Sequence, residues 1–234
     1  MSSPTIHRVT TLDLVVDDWH WPFADQRRAE IDAYFVGRRA ANPALWNGRV
    51  LLARDPRFTP GTFSARYFET DFASFLAWRD WGYPDTAVVN GFGMGALRGS
   101  DGGFILGEMA PHTANAGRIY FASGLPDLSD VVDGRVDIAR SVAREVAEET
   151  GLTPADYRTD PGCCCVVSGT AIALIRTLNV AAPAPAVRAR ILGNLATQSA
   201  PELCAIHVVR DHRDLTAAMP SFVIAFITAA TAAT

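Results

Sequence analysis

Few cysteines, no long apolar run, no surplus of positive charge and no internal repeat set the first limits on this chain of 234 residues. Three of its four cysteines are adjacent, Cys163-Cys164-Cys165, which gives neither a spaced disulfide framework nor the Cys-x-x-Cys pairs of a zinc site. In a run that continues Val166-Val167 they read as small apolar residues of a strand. No stretch reaches the ~20 apolar residues of a membrane span, and residues 222–230 read as a short buried helix. Met1-Ser2-Ser3-Pro4 leads into polar residues, not into a signal-peptide core. The expected setting is therefore a reducing cytoplasm with no membrane partner. A formal net charge of -4 leaves no electrostatic footprint for nucleic acid. What is there is 49% apolar and 20% charged, enough for one sizeable domain with a substantial extension.

Taken in order, the pattern predicts a strand over 5–16 and a helix over 23–41 with a basic character from Arg27, Arg28, Arg38 and Arg39. Strands follow over 49–54 and 62–70, with a punctuated stretch between them, and then a helix over 71–81. Residues 86–109 read as a hairpin turning at Ser100-Asp101-Gly102-Gly103. Gly91-Phe92-Gly93-Met94-Gly95-Ala96 fits the letters of a dinucleotide fingerprint, but no helix opens directly after it. Glycines in a strand mark bulges or close backbone approach instead. A strand over 117–123 precedes a helix over 137–150. One or two strands are expected over 162–180 with Gly169 between them, then a helix over 185–197, a strand over 202–209 and a helix over 219–233. This order fits a mixed-sheet α/β/α sandwich better than a doubly wound parallel sheet.

The chemistry concentrates in Arg144-Glu145-Val146-Ala147-Glu148-Glu149-Thr150-Gly151-Leu152. At helical spacing Glu145, Glu148 and Glu149 share one arc, while Ile138, Ala139, Val142, Ala143 and Val146 share another. Asp137 is placed to cap the helix, Gly151 to end it in the left-handed region, and Leu152 to pack back on the last turn. The acids sit where they oppose the helix macrodipole, and Glu145 and Glu149 repel at i, i+4. Arg144 can reach Glu148, but one arginine cannot balance three carboxylates. Clustered carboxylate oxygens suit a hard divalent ion such as Mg²⁺ or Mn²⁺; a solvated acidic face is the plainer alternative.

The stretch resembles the second half of the Nudix box, Arg-Glu-aliphatic-any-Glu-Glu-any-Gly-aliphatic, at every fixed position. The resemblance implies a mixed-sheet Nudix α/β/α sandwich over 86–234, with an N-terminal α/β extension over 1–85 packed on it. It implies a metal-dependent pyrophosphohydrolase, acting on acid anhydrides, that cleaves a nucleoside diphosphate joined to another group. Glu145, Glu148 and Glu149 would be metal ligands and Arg144 would orient a glutamate. Glu145 or Glu149 would be the catalytic base, with Glu202, and less so Glu108, as carboxylates from other segments. The first half of the box departs from the pattern: Asp130 stands where the family has glycine and Val136 where it has glutamate. A longer loop is expected, with Gly124 filling the glycine role.

Residues 42–48, Asn-Pro-Ala-Leu-Trp-Asn-Gly, with the long loop, are similar to the branch that hydrolyses UDP-glucose and UDP-galactose. That ranks nucleoside diphosphate sugars first as the small-molecule partner and ADP-ribose or CoA-like diphosphates second. The rival expectation is a Nudix-fold nucleotide-binding or regulatory protein without catalysis. Nothing in the sequence names an interface, and a homo-oligomer stays open.

Overall fold

The computed structural model describes residues 3–232. The first expected strand breaks at Thr10 into β1 (Thr5–Val9) and β2 (Thr11–Val16). The first expected helix is also two, α1 (Pro22–Gln26) and α2 (Arg28–Ala41), because the backbone leaves the helical region at Arg27. β3 (Arg49–Thr59) and β4 (Thr62–Asp71) are antiparallel. β3 outruns its expected end at Arg54: the register shifts between Arg54 and Arg57, with Asp55 at φ 54°, and this bulge accommodates Pro56 within the strand. The turn falls instead at Gly61, φ 72°. α3 (Phe72–Asp80) is capped by Asp71, which accepts from Ser74 N at 2.8 Å.

β5 (Val88–Arg98) and β6 (Phe104–Met109) pair only beside their turn, at Leu97–Ile105 and Arg98–Phe104. The strand expected over 117–123 is two short ones, β7 (Ile119–Tyr120) on β6 and β8 (Ala122–Gly124) on β5. The long loop holds a turn at Leu128–Asp130 and a small hairpin, β9 (Val131–Val132) with β10 (Arg135–Val136). Then come α4 (Ile138–Thr150), β11 (Tyr157–Thr159), β12 (Cys163–Ser168) and β13 (Ala171–Val180), the last two turning at Gly169 with φ 61°. α5 (Ala184–Leu195), β14 (Leu203–Val209) and α6 (Ser221–Thr231) complete the fold. The end expected for the last helix, Ala233, lies outside the described residues.

The architecture is mixed α/β, with a large mixed sheet and helices on it. β13 runs parallel to β5 and β2 parallel to β4; the remaining pairs are antiparallel. The sheet also closes on itself. β1 pairs with β12, which continues through β13, β5, β3 and β4 to β2, and β2 is the same run of chain as β1. The bend at Thr10 is the seam.

Side chains alternate across β5, and the two faces meet different helices. A Cβ on Gly93 would stand 2.8 Å from Val142 Cγ2, and one on Gly95 2.5 Å from Val146 Cγ2, so the glycine face is where α4 comes close. The other face carries Phe92, edge-on to Phe222 of α6 with ring centroids 5.6 Å apart. β3 and β4 also serve two cores. Leu51, Ala53 and Tyr67 point into the main one, whereas Val50, Leu52 and Phe68 point toward Trp21, Phe35 and Trp78 of the N-terminal helices. Each fully buried Leu, Val or Phe here is worth about 1.5–3 kcal/mol.

Candidate active site

α4 begins and ends as its sequence dictates. Asp137 accepts from Arg140 N at 3.0 Å, Gly151 ends the helix at φ 72°, and Leu152 is fully buried behind it. Ile138, Val142 and Val146 fill the core against the glycine face of β5. The carboxylate arc does not divide cleanly from the core. Glu149 is 5% exposed, the Glu145 side chain 12% and the Glu148 side chain 61%. The solvated acidic face is thus a property of Glu148 alone.

Burial governs both inner carboxyls. It pushes Glu145 up to about 7, against the pull of Arg144, with Glu148 and Glu202 adding to the rise. It raises Glu149 well above the ordinary range, with the charges of Glu145 and Glu202 adding to it; Ser123 N, 3.4 Å from Glu149 Oε1, opposes the shift. Gly124 holds the other side of Glu145: a Cβ there would overlap its carboxylate.

Arg144 makes more of its fork than the sequence suggests. Nη1 donates to Glu145 Oε1 at 2.7 Å and lies 3.5 Å from Glu148, while Nη2 donates to Asp130 Oδ2 at 2.9 Å. Asp130 was read only as a departure from the family glycine. It is fully buried, its Oδ2 also accepts from Asp127 N at 3.2 Å, and its Oδ1 has no partner. The turn at Leu128–Asp130 and the hairpin of β9 and β10 exist to bring it there. An aspartate preceding Arg144 by fourteen residues carries no periodic signal, so spacing alone could not find it. Val136, where the family has glutamate, is a buried core residue.

A cleft of about 620 Å³ opens beside Glu145. Asn90, Phe92 and Met94, the non-glycine face of β5, line it together with Tyr120, Ser123 and Gly124. Glu202 stands on it too, exposed, with its charge reaching Glu145 and Glu149. Glu108 does not line it; its Oε2 meets His207 Nε2 at 2.8 Å. The opposite wall comes from the N-terminal stretch: Trp46, Gly48, Arg49, Phe75, Arg79 and Tyr83. Trp46 is 78% exposed, unlike the buried Trp21 and Trp78. The basic helix α2 faces elsewhere, with Arg28 on Asp71 and Arg38 on Asp80.

The donors suit a hard cation. Glu145 and Glu149 offer oxygen only, on one turn; Arg144 pairs with Glu145, and Ser123 N donates to Glu149. Among the described residues no group of three or more His, Cys, Asp or Glu side chains is placed to hold a metal ion: Glu145 and Glu149 are buried and Glu148 lies out in solvent, so the three expected ligands do not converge. Mg²⁺ commonly takes one or two carboxylates and completes its shell with water and substrate phosphate; of the two inner carboxylates here, Glu145 lines the cleft and Glu149 is buried.

No family model matches the chain, and no curated protein matches it. Among solved structures it is similar to a Nudix hydrolase from M. smegmatis, RenU, at 14% identity and a TM-score of 0.37, over 58% of this chain and 79% of that one. It is similar to a MutT protein from Methanosarcina mazei Go1 at 17% identity and 0.38, over 59% and 90%. A Bacillus subtilis pyrophosphohydrolase, BsRppH, matches at 11% identity and 0.31, over 71% and 78%. These are distant likenesses; what the site can do follows from its own side chains.

Proposed function

We propose that this protein is a Nudix-type pyrophosphohydrolase, dependent on Mg²⁺ or Mn²⁺, acting on a nucleoside diphosphate joined to another group. The observation that carries the reading is a pair of buried carboxylates on α4, one of them lining a cleft large enough for a nucleotide. Glu145, Glu148 and Glu149 would hold the ion, Glu148 turning in from solvent. Bound there, a divalent cation supplies charge neutralisation and polarisation at phosphorus. Arg144 fixes the Glu145 carboxylate between itself and Gly124. An attacking water needs a proton acceptor. Glu145 or Glu149 serves from the helix; Glu202 is a candidate from outside it that lines the cleft.

Nucleoside diphosphate sugars rank first as substrates, ADP-ribose and CoA-like diphosphates second. Supporting this order, Ala44, Leu45, Trp46 and Gly48 of the segment similar to the UDP-sugar branch line the cleft, and Trp46 offers an open ring for a base. In this reading residues 86–234 are the hydrolase domain, residues 1–85 are the extension that builds the far wall, and the enzyme works in the cytoplasm.

A nucleotide-binding protein without turnover is the second reading. It is favoured by one observation: Arg144 already occupies Glu145, and Glu148 points to solvent. The deciding experiment is turnover of nucleoside diphosphate sugars, ADP-ribose, dinucleoside polyphosphates and CoA in Mg²⁺ or Mn²⁺, with Glu149→Gln alongside. Metal-dependent cleavage abolished in the variant supports the hydrolase. Binding of a compound without cleavage of any supports the second reading.

A further inference from the structure

Tyr120 stands in the cleft with a proton and no acceptor for it. The residue is 7% exposed, and its oxygen accepts from Asn115 Nδ2 at 3.1 Å. Among the described residues its hydroxyl donates to nothing. Asn115 is held from its other end, its Oδ1 accepting from Arg79 Nη1 at 3.2 Å, and Arg79 Nε donates to Asp80 Oδ1 at 2.8 Å. The arginine, which can only donate, fixes which end of the amide faces Tyr120. With Asn115 donating to its oxygen, the tyrosine must direct its own O–H elsewhere. Arg79, Asn115 and Tyr120 all line the cleft that Glu145 and Glu202 line. Burial, with the charges of Glu149 and Glu202, raises the phenol further above its ordinary range, so the proton stays on.

A neutral, buried O–H at the edge of an acidic site is matched to an anionic oxygen, to which a hydrogen bond is strengthened by charge. A carboxylate of the protein would be the alternative acceptor, yet none is hydrogen-bonded to it. We propose that Tyr120 is a further catalytic residue, donating to a non-bridging oxygen of the substrate diphosphate, and that Asn115, held by Arg79, is the positioning residue that aims it. The proposal rests on the hydrolase reading for its substrate class. It also gives the N-terminal wall a part in the chemistry, because Arg79 belongs to α3.

The test is Tyr120→Phe in the full chain, which keeps the ring and removes only the donor. Two readouts are needed: kcat/KM on whichever diphosphate the wild-type protein cleaves, and calorimetric affinity for inorganic pyrophosphate in Mg²⁺. The expected result is a fall of about 10- to 100-fold in kcat/KM and about 10-fold weaker pyrophosphate binding, with Tm unchanged. Unchanged values in both overturn the proposal, as does a wild-type protein that binds no pyrophosphate. Pyrophosphate bound by the wild type and weakened in the variant, with no turnover of any compound, keeps Tyr120 as a ligand of phosphate and sinks the hydrolase instead. Asn115→Ala tests the aim. A fall of roughly 3- to 10-fold in kcat with KM and Tm unchanged supports it; a lower Tm with kcat unchanged makes Asn115 a loop residue only.

Discussion

The two walls of the cleft are made in opposite ways. On the α4 wall the inner polar groups are pinned: Glu145 between Arg144 and Gly124, Arg144 on a buried Asp130, Glu149 against Ser123. On the N-terminal wall several groups are loosely held, with Trp46 open to solvent, Tyr83 half-open and the exposed Arg49 tied to Glu69, although Arg79 is fixed by Asp80 and Asn115. A wall that must hold charge out of water needs a fixed frame, because each misplacement there is costly. A wall that selects a ligand can trade rigidity for exposed surface. On the proposed reading, damage to the first wall abolishes chemistry and damage to the open rings of the second changes affinity, while Arg79, tied to Asn115, reaches from the second wall into the chemistry.

The largest expected effect is Glu149→Gln, which keeps shape and removes charge: kcat falls by about three orders of magnitude, read as turnover at saturating Mg²⁺. Asp130→Ala comes next. It leaves the Arg144 guanidinium without its buried partner and costs about 3–5 kcal/mol of stability, measured by urea unfolding; a loss near zero would show that the frame is not electrostatic. Gly124→Ala displaces the Glu145 carboxylate and lowers kcat by about 10- to 100-fold, while the midpoint of unfolding moves little. Trp46→Ala, on the loose wall, raises KM by about 5- to 10-fold through lost stacking and leaves kcat alone; a kcat effect would erase the distinction between the walls.

The smallest effect is a pH trend. Glu145 titrates from an ordinary 4.5 in the open chain to about 7 when folded, so the folded protein binds more protons between those values. Its contribution to stability is therefore full at low pH and declines as pH rises toward the folded value. Glu149 is shifted in the same direction. In chelator, the Tm of the wild type should fall from about pH 5 to about pH 8 by a few degrees more than that of Glu149→Gln. Mg²⁺ should close the gap if the ion neutralises the pair.

The α4 wall was legible in the sequence because its information is local: a 3.6-residue period, an aspartate cap, a glycine stop and acids on one arc. Its supports were not. Gly93 and Gly95 read as places of close approach, but that Val142 and Val146 are what approach is fixed only by the fold. Asp130 looked like a lost glycine, since nothing near it announces a buried partner for Arg144. The N-terminal strands misled for a similar reason. Residues 5–16 contain no glycine or proline to mark a break, and the bend at Thr10 follows from having partners at two distant places, β12 and β4. The bulge that admits Pro56 into β3 likewise belongs to pairing, not to propensity.

That bend has a consequence in time. The strand that bends at Thr10 has half of its partners in β4, close by in sequence, and half in β12, far later in the chain. β2 can dock early; β1 must wait, its ladder unpaired, until the cysteine strand arrives. Closing the circuit is thus a long-range event, slow by its topology, because β1 cannot complete its ladder before β12 exists.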